Sequence, residues 1–107
     1  MTAKPVVPRL KAAQDVEEAL TYCLATFGEQ AALGFIDALE QAYERIGRIP
    51  AAGSPRYAHE LGLPDLRSWP LQSHPVVIFY MERASHIDVW RVLHAKRDIP
   101  ATLQAPN

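Results

Sequence analysis

Cysteine is almost missing from this chain of 107 residues. Cys23 is the single one, so no disulfide can close within the chain, a usage that suits a reducing compartment. No apolar run approaches the eighteen or more residues of a membrane-spanning helix, and MTAKPVVPRL at the N-terminus has too short an apolar core for a secretory signal. Both absences point to a cytoplasmic protein with no membrane partner. Glycine is sparse, at five residues, and the segments GLP and AGSP match neither nucleotide-binding fingerprint. Excess charge is lacking as well: a net −1 gives no general affinity for nucleic acid. The four histidines, His59, His74, His86 and His94, lie 15, 12 and 8 residues apart, so none forms a short ligand pair on one helix face or strand. Neither a metal nor a cofactor is expected. Ser54, Ser68, Ser73 and Ser85 lack a nucleophile-elbow or lysine-pair context, and Cys23 falls on an apolar stripe, where a thiol is buried and inert.

What is present is the composition of one globular domain, 49% hydrophobic and 21% charged. Charge is segregated along the chain. Residues 12–49 hold seven acids against Arg45 and Arg48, a balance of −5, and the remainder balances at +4. Such asymmetry can steer an oppositely charged partner.

VVPRL (6–10) reads as a short strand, and Pro8, with no amide hydrogen, confines it to a sheet edge or a bulge. Ala12, Val16, Ala19, Leu20, Cys23, Leu24 and Phe27 recur at offsets of three and four, which draws one stripe on a helix ended by Gly28. A second helix carries Ala32, Phe35, Ile36, Leu39, Ala42, Tyr43 and Ile46 on one face and stops before Pro50. So short a link makes the two an antiparallel hairpin. PAAGSPRYAHELGLPD (50–65) reads as a loop. LRSWPLQ (66–72), VVIFYME (76–82) and IDVWRVLHA (87–95) then read as an antiparallel meander of three strands, the middle one apolar on both faces and therefore central, and Pro70 suggests an edge or bulge for the first. The expected fold is α+β, in the order β-α-α-β-β-β, with the helical hairpin packed on one face of the sheet.

The constellation that could carry function is cationic: Arg67 and Trp69 on one strand, Arg91 and His94 on another, with Lys96 and Arg97 just beyond and Arg83 in the turn before it. Arginines that converge on one face or rim would hold carboxylates or phosphates bidentately, and Trp69 offers a stacking surface. The alternative is a solvated strand end with ordinary arginine–acid pairs, for instance to Glu82 or Asp88. Trp90 and Tyr80 read as packing residues.

Taken in order, AAQDVEEALTYCLATFG, ALEQAYERIGRIPAAGSPR, LRSWPLQSHPVVIFY and IDVWRVLHAKRD resemble the ParE/RelE toxins of bacterial type II toxin–antitoxin systems, across residues 6 to 99, and the ParE branch most. The resemblance implies a toxin held inactive in a hetero-oligomer with a cognate ParD-like antitoxin. In the ParE branch the implied target is DNA gyrase, or gyrase on DNA, and no bond is turned over. In the RelE branch it is ribosome-bound messenger RNA, cleaved by acid–base chemistry. RNA-cleaving relatives often have an arginine after the histidine opening the middle strand, where this chain has Pro75, and no tyrosine follows Tyr80. Cleavage would need a base, an acid and cations around one phosphate, parts for which Glu60, Arg67 and His94 are the candidates. A third reading is an interaction module that has lost toxicity.

Overall fold

The computed structural model describes residues 3–96 and 99–104. Strand β1 (Val6–Pro8) leads into helices α1 (Leu10–Phe27) and α2 (Glu29–Arg48), and a 3₁₀ turn at Pro50–Ala52 follows. Helix α3 (Arg56–Leu61), strands β2 (Leu66–Pro70), β3 (Val76–Glu82) and β4 (Ile87–His94), and helix α4 (Ile99–Gln104) complete the chain. The α+β order expected from sequence is present, with two short helices added.

The sheet order is β1-β4-β3-β2. The last three strands form the antiparallel meander, and β1 lies parallel to β4, with Val6–Pro8 opposite Ile87–Val89. Pro8 and Pro70 therefore both sit in outer strands, where a missing N–H costs no ladder bond. Gly28 alone links α1 to α2, at φ 95° and ψ 179°, a backbone region that a Cβ makes strained.

Neighbouring strand residues point to opposite faces, so the run Ile78–Phe79–Tyr80, each 0% exposed, requires cover on both sides of β3. Phe35, Leu39, Ala42 and Ile46 of α2 and Ala12 of α1 pack with Ile78, Tyr80, Val89 and Val92 on one face. Ala58 of α3 and Ile99 and Leu103 of α4 pack with Leu66, Phe79, Met81 and Leu93 on the other. Each fully buried side chain of this size contributes about 1.5–3 kcal/mol, so two short helices of six residues each suffice to close the second face.

The loop expected over residues 50–65 thus contains α3. Pro55 before it and Gly62 after it, the latter left-handed at φ 64°, are start and stop signals as well as breakers. At Gly53 the chain passes so close to β3 that a Cβ would collide with the Tyr80 hydroxyl. That hydroxyl donates to the Pro50 carbonyl at 2.6 Å, which pins the exit of the helical hairpin to the sheet. In β4, Trp90 is an extra residue: Tyr80 lies opposite Val89 and Phe79 opposite Arg91. This bulge lets Val89 and Val92, three apart, face the same core.

Candidate functional site

The cationic residues singled out from sequence do not form one corner. Arg83 follows β3 at one end of the sheet, and His94 closes β4 at the other, roughly 23 Å away at ~3.3 Å per residue. Arg67 donates to the Gly53 carbonyl at 2.8 Å, and Trp69 packs against the hairpin-side core. Arg91 is buried: its Nε and Nη2 donate to Asp15 of α1 at 2.7 and 2.9 Å. Of these residues, among those described, His94 and Lys96 are the exposed ones, joined at the strand end by the Lys96 N–H donating to His94 Nδ1 at 3.1 Å. Arg97 lies outside the described residues. A shared rim of Arg67, Arg83, Arg91, His94 and Lys96 is thereby replaced by separate settings, of which two are built around acids. The reason is topological: α1 brings in Asp15, and the segment after α2 brings in the Gly53 carbonyl, partners that strand spacing alone does not reveal.

The first setting surrounds Asp88. Arg9 donates to its two oxygens at 3.0 Å each, Arg83 donates at 3.1 and 3.3 Å, and the Trp90 indole at 3.3 Å. The Arg9 guanidinium also lies 4.4 Å above the Trp90 ring. Burial pushes the Asp88 carboxyl up, but the hydrogen bonds and charges of Arg9 and Arg83 outweigh it and hold its pKa below the usual range. Beside it Lys4 bridges Glu82 at 2.8 Å. The arginine–acid pairing foreseen as an alternative is realised here between Arg83 and Asp88.

The second setting is the edge of β4 that β1 leaves uncovered. β1 pairs only as far as Val89, and beyond it the Val92 N–H donates to Asp15 at 3.0 Å. Asp15 therefore caps a strand edge while neutralising Arg91. Its bond is the main reason that the Arg91 pKa is raised, against the lowering effect of burial.

Along this edge runs a groove of about 390 Å³. Asp15, Glu18, Ala19, Tyr22, Cys23 and Phe27 face it from α1, a spacing that keeps them on one side of a helix. Phe35, Val76 and Val92 are its buried floor, and Pro75 and His94 its opposite lip. Tyr22 and Phe27 stand 62% and 68% exposed, their rings edge to face at 6.2 Å. Large apolar side chains displayed beside an apolar cleft mark a contact surface for a macromolecule. The periodicity of α1 placed Phe27 and Leu24 with the inward stripe, yet they are exposed; Tyr22 was legible only as an aromatic off that stripe.

A larger, more polar groove of about 510 Å³ lies between α2 and β2, lined by Asp37, Gln41, Arg45, Trp69 and His74 among others. The edge contact of His74 with Phe35 stands between the two grooves. Among the described residues no group of three His, Cys, Asp or Glu side chains could hold a metal ion, and no helix is long and apolar enough to cross a membrane.

Comparison with known proteins agrees with this architecture. A comparison with curated proteins returned no match. Among solved structures, a chain from the "Chromosomal ParDE TA system from P. aeruginosa" is similar at a TM-score of 0.72 over 88% of this chain and 98% of that one, with 16% identity, a likeness of fold. The profile of the family described as "ParE toxin of type II toxin-antitoxin system, parDE" matches residues 6–99, from the edge strand through the start of α4. By that match the chain belongs to the ParE toxin family of type II toxin–antitoxin systems.

Proposed function

We propose that this protein is the toxin of a type II pair, that it blocks DNA gyrase by binding without turning over a bond, and that its ParD-like antitoxin lays an amphipathic segment into the groove beside α1. The observation that carries the reading is the groove itself, with a buried apolar floor and Tyr22 and Phe27 exposed on its rim. An amphipathic helix set into such a cleft buries aromatic surface on both partners. A gyrase target sets the site of action in the cytoplasm.

Binding in place of catalysis is favoured by where the possible catalytic groups lie. Arg67 is opposite Tyr80 on one side of β3, and His94 is opposite Val76 on the other. Their Cα atoms are roughly 16 Å apart at ~3.3 Å per residue and ~4.8 Å per strand. Glu60 stands on α3, which packs on the opposite face of the sheet from α1 and α2. Acid–base cleavage needs its groups within hydrogen-bond reach of one phosphate. Lys96 and His94 remain as the exposed polar contacts proposed for the target, joined in that proposal by Arg97, with Arg67, Trp69 and Arg83 assisting at the periphery and Arg91 holding the scaffold. The test is supercoiling by purified gyrase titrated with the toxin: inhibition relieved by the antitoxin is expected, and full supercoiling at saturating toxin would overturn the gyrase reading.

A further inference from the structure

The charges lining the groove do not balance. Asp15 is spent on Arg91 and on the Val92 N–H. Glu18, one turn further along α1, lines the same groove, is exposed, and has no hydrogen-bond or ion-pair partner among the described residues. The residues three and four positions from it on the helix are Gln14, Asp15, Thr21 and Tyr22, so no cation of α1 reaches it. Lys11, seven positions back, is the only basic residue of α1. Arg91 feels the charge of Glu18 as well as that of Asp15, yet its hydrogen bonds go to Asp15. One cation against two carboxylates leaves the groove a local charge of −1, which strengthens once a partner covers the apolar floor and excludes water.

We infer that Glu18 is the electrostatic anchor of the groove, and that the amphipathic helix it receives carries an arginine or lysine set to meet it. This rests on the reading that the groove takes a helical partner segment. Phe27 lies nine residues beyond Glu18, about 13.5 Å at ~1.5 Å per residue. A helix lying along α1 therefore presents its cation at one end of an apolar stripe and its contacts to Tyr22 and Phe27 one to two and a half turns away. The charge selects orientation: reversed, the same apolar stripe would leave Glu18 unpaired against the groove.

The experiment is selection of a displayed library of random 16-residue peptides on the purified full chain, on Glu18→Lys and on Ala19→Arg, which fills the groove. All three must unfold at the same temperature. Wild type is expected to enrich apolar residues at i, i+3 or i+4, and i+7 with Arg or Lys at one flank. Glu18→Lys should enrich Asp or Glu at that flank, and bind the best wild-type peptide at least about tenfold more weakly, because like charges now face each other. Exchanging that peptide's cation for Glu should restore binding to Glu18→Lys. If Glu18→Lys selects the same peptides with affinities within twofold, the anchor is wrong although the apolar groove stands. If Ala19→Arg still binds every selected peptide, or if wild type selects none, the groove reading itself fails, and the anchor with it.

Discussion

Asp15 and Arg91, separated by 76 residues of chain, are joined at 2.7 and 2.9 Å while less than a tenth of either is exposed. The pair ties α1 to β4 at the point where the sheet loses its outer strand. Removing one partner of a buried pair strands the other's charge and costs about 3–5 kcal/mol. Asp15→Ala is expected to lose that much in urea denaturation, since the Val92 N–H is orphaned too. Asp15→Ala combined with Arg91→Met should be clearly more stable than Asp15→Ala alone, because no unpaired charge remains. A loss below about 1 kcal/mol for Asp15→Ala would show that the pair does not hold the edge.

That pair also marks the limit of what the sequence could reveal. Offsets of three and four predicted both long helices, and alternation with apolar runs predicted the meander, because those signals are local. Pro8 and Pro70 placed the outer strands correctly, since a missing N–H is a property of one residue. Asp15, by contrast, is one of seven acids in residues 12–49 and lies off the apolar stripe of α1, so nothing local singles it out. Its partner lies on the far side of the chain, and only the parallel pairing of β1 with β4 brings them together. The bulge at Trp90 was equally invisible, and it disturbs the alternation on which a common cationic face depended. Helices α3 and α4, six residues each, are too short for periodicity to outweigh the prolines and glycines around them.

Asp88 makes stability depend on acid. Its pKa is lowered in the folded protein by Arg9 and Arg83 in spite of burial. A depressed folded pKa contributes stability that is present above the unfolded value, near ~3.9, and lost as pH falls through that value toward the folded one. Asp88→Asn should therefore destabilise at pH 7, and its deficit should shrink as pH falls below the unfolded value near ~3.9 toward the lower folded one. Thermal unfolding of both proteins from pH 7 to 2.5 checks this. A gap that stays constant over the range would show that packing, not charge, accounts for the loss.

Two tyrosines predict opposite outcomes. The Tyr43 hydroxyl is buried with no hydrogen-bond partner among the described residues, whereas that of Tyr80 donates to Pro50. Tyr43→Phe removes an unsatisfied group and should leave stability unchanged or raise it by up to about 1 kcal/mol. Tyr80→Phe removes a bond to a part-buried carbonyl and should cost about 0.5–1.5 kcal/mol. Both phenols are pushed up to about 12, chiefly by burial, with Asp15 adding to the effect at Tyr43 and Arg67 opposing it at Tyr80. Their contribution is complete below the unfolded pKa near ~10 and is lost as pH rises through about 12. Absorbance at 295 nm should show two of the four tyrosines titrating late in wild type and one in either variant. Loss of stability in Tyr43→Phe equal to that in Tyr80→Phe would contradict the assignment.

Tyr22 and Phe27 should matter for control of toxicity and not for folding. Both are more than half exposed and pair mainly with each other, so Tyr22→Ser and Phe27→Ser should change stability by no more than about 0.5 kcal/mol. If the antitoxin sits in the groove, each variant discards an aromatic anchor from that contact, and truncating such an anchor costs about 2 kcal/mol or more, about thirtyfold in affinity. The expected phenotype is a toxin that still stops growth when expressed alone but is no longer rescued by co-expressing the antitoxin at a level sufficient for wild type. Wild type and His94→Ala, altered on the opposite lip, should alike yield no transcript cleavage products, as suits a protein that acts by binding. Full rescue of the Tyr22→Ser, Phe27→Ser double variant would move the antitoxin off this groove, and the polar cleft between α2 and β2 would then be the place to test by the same scheme.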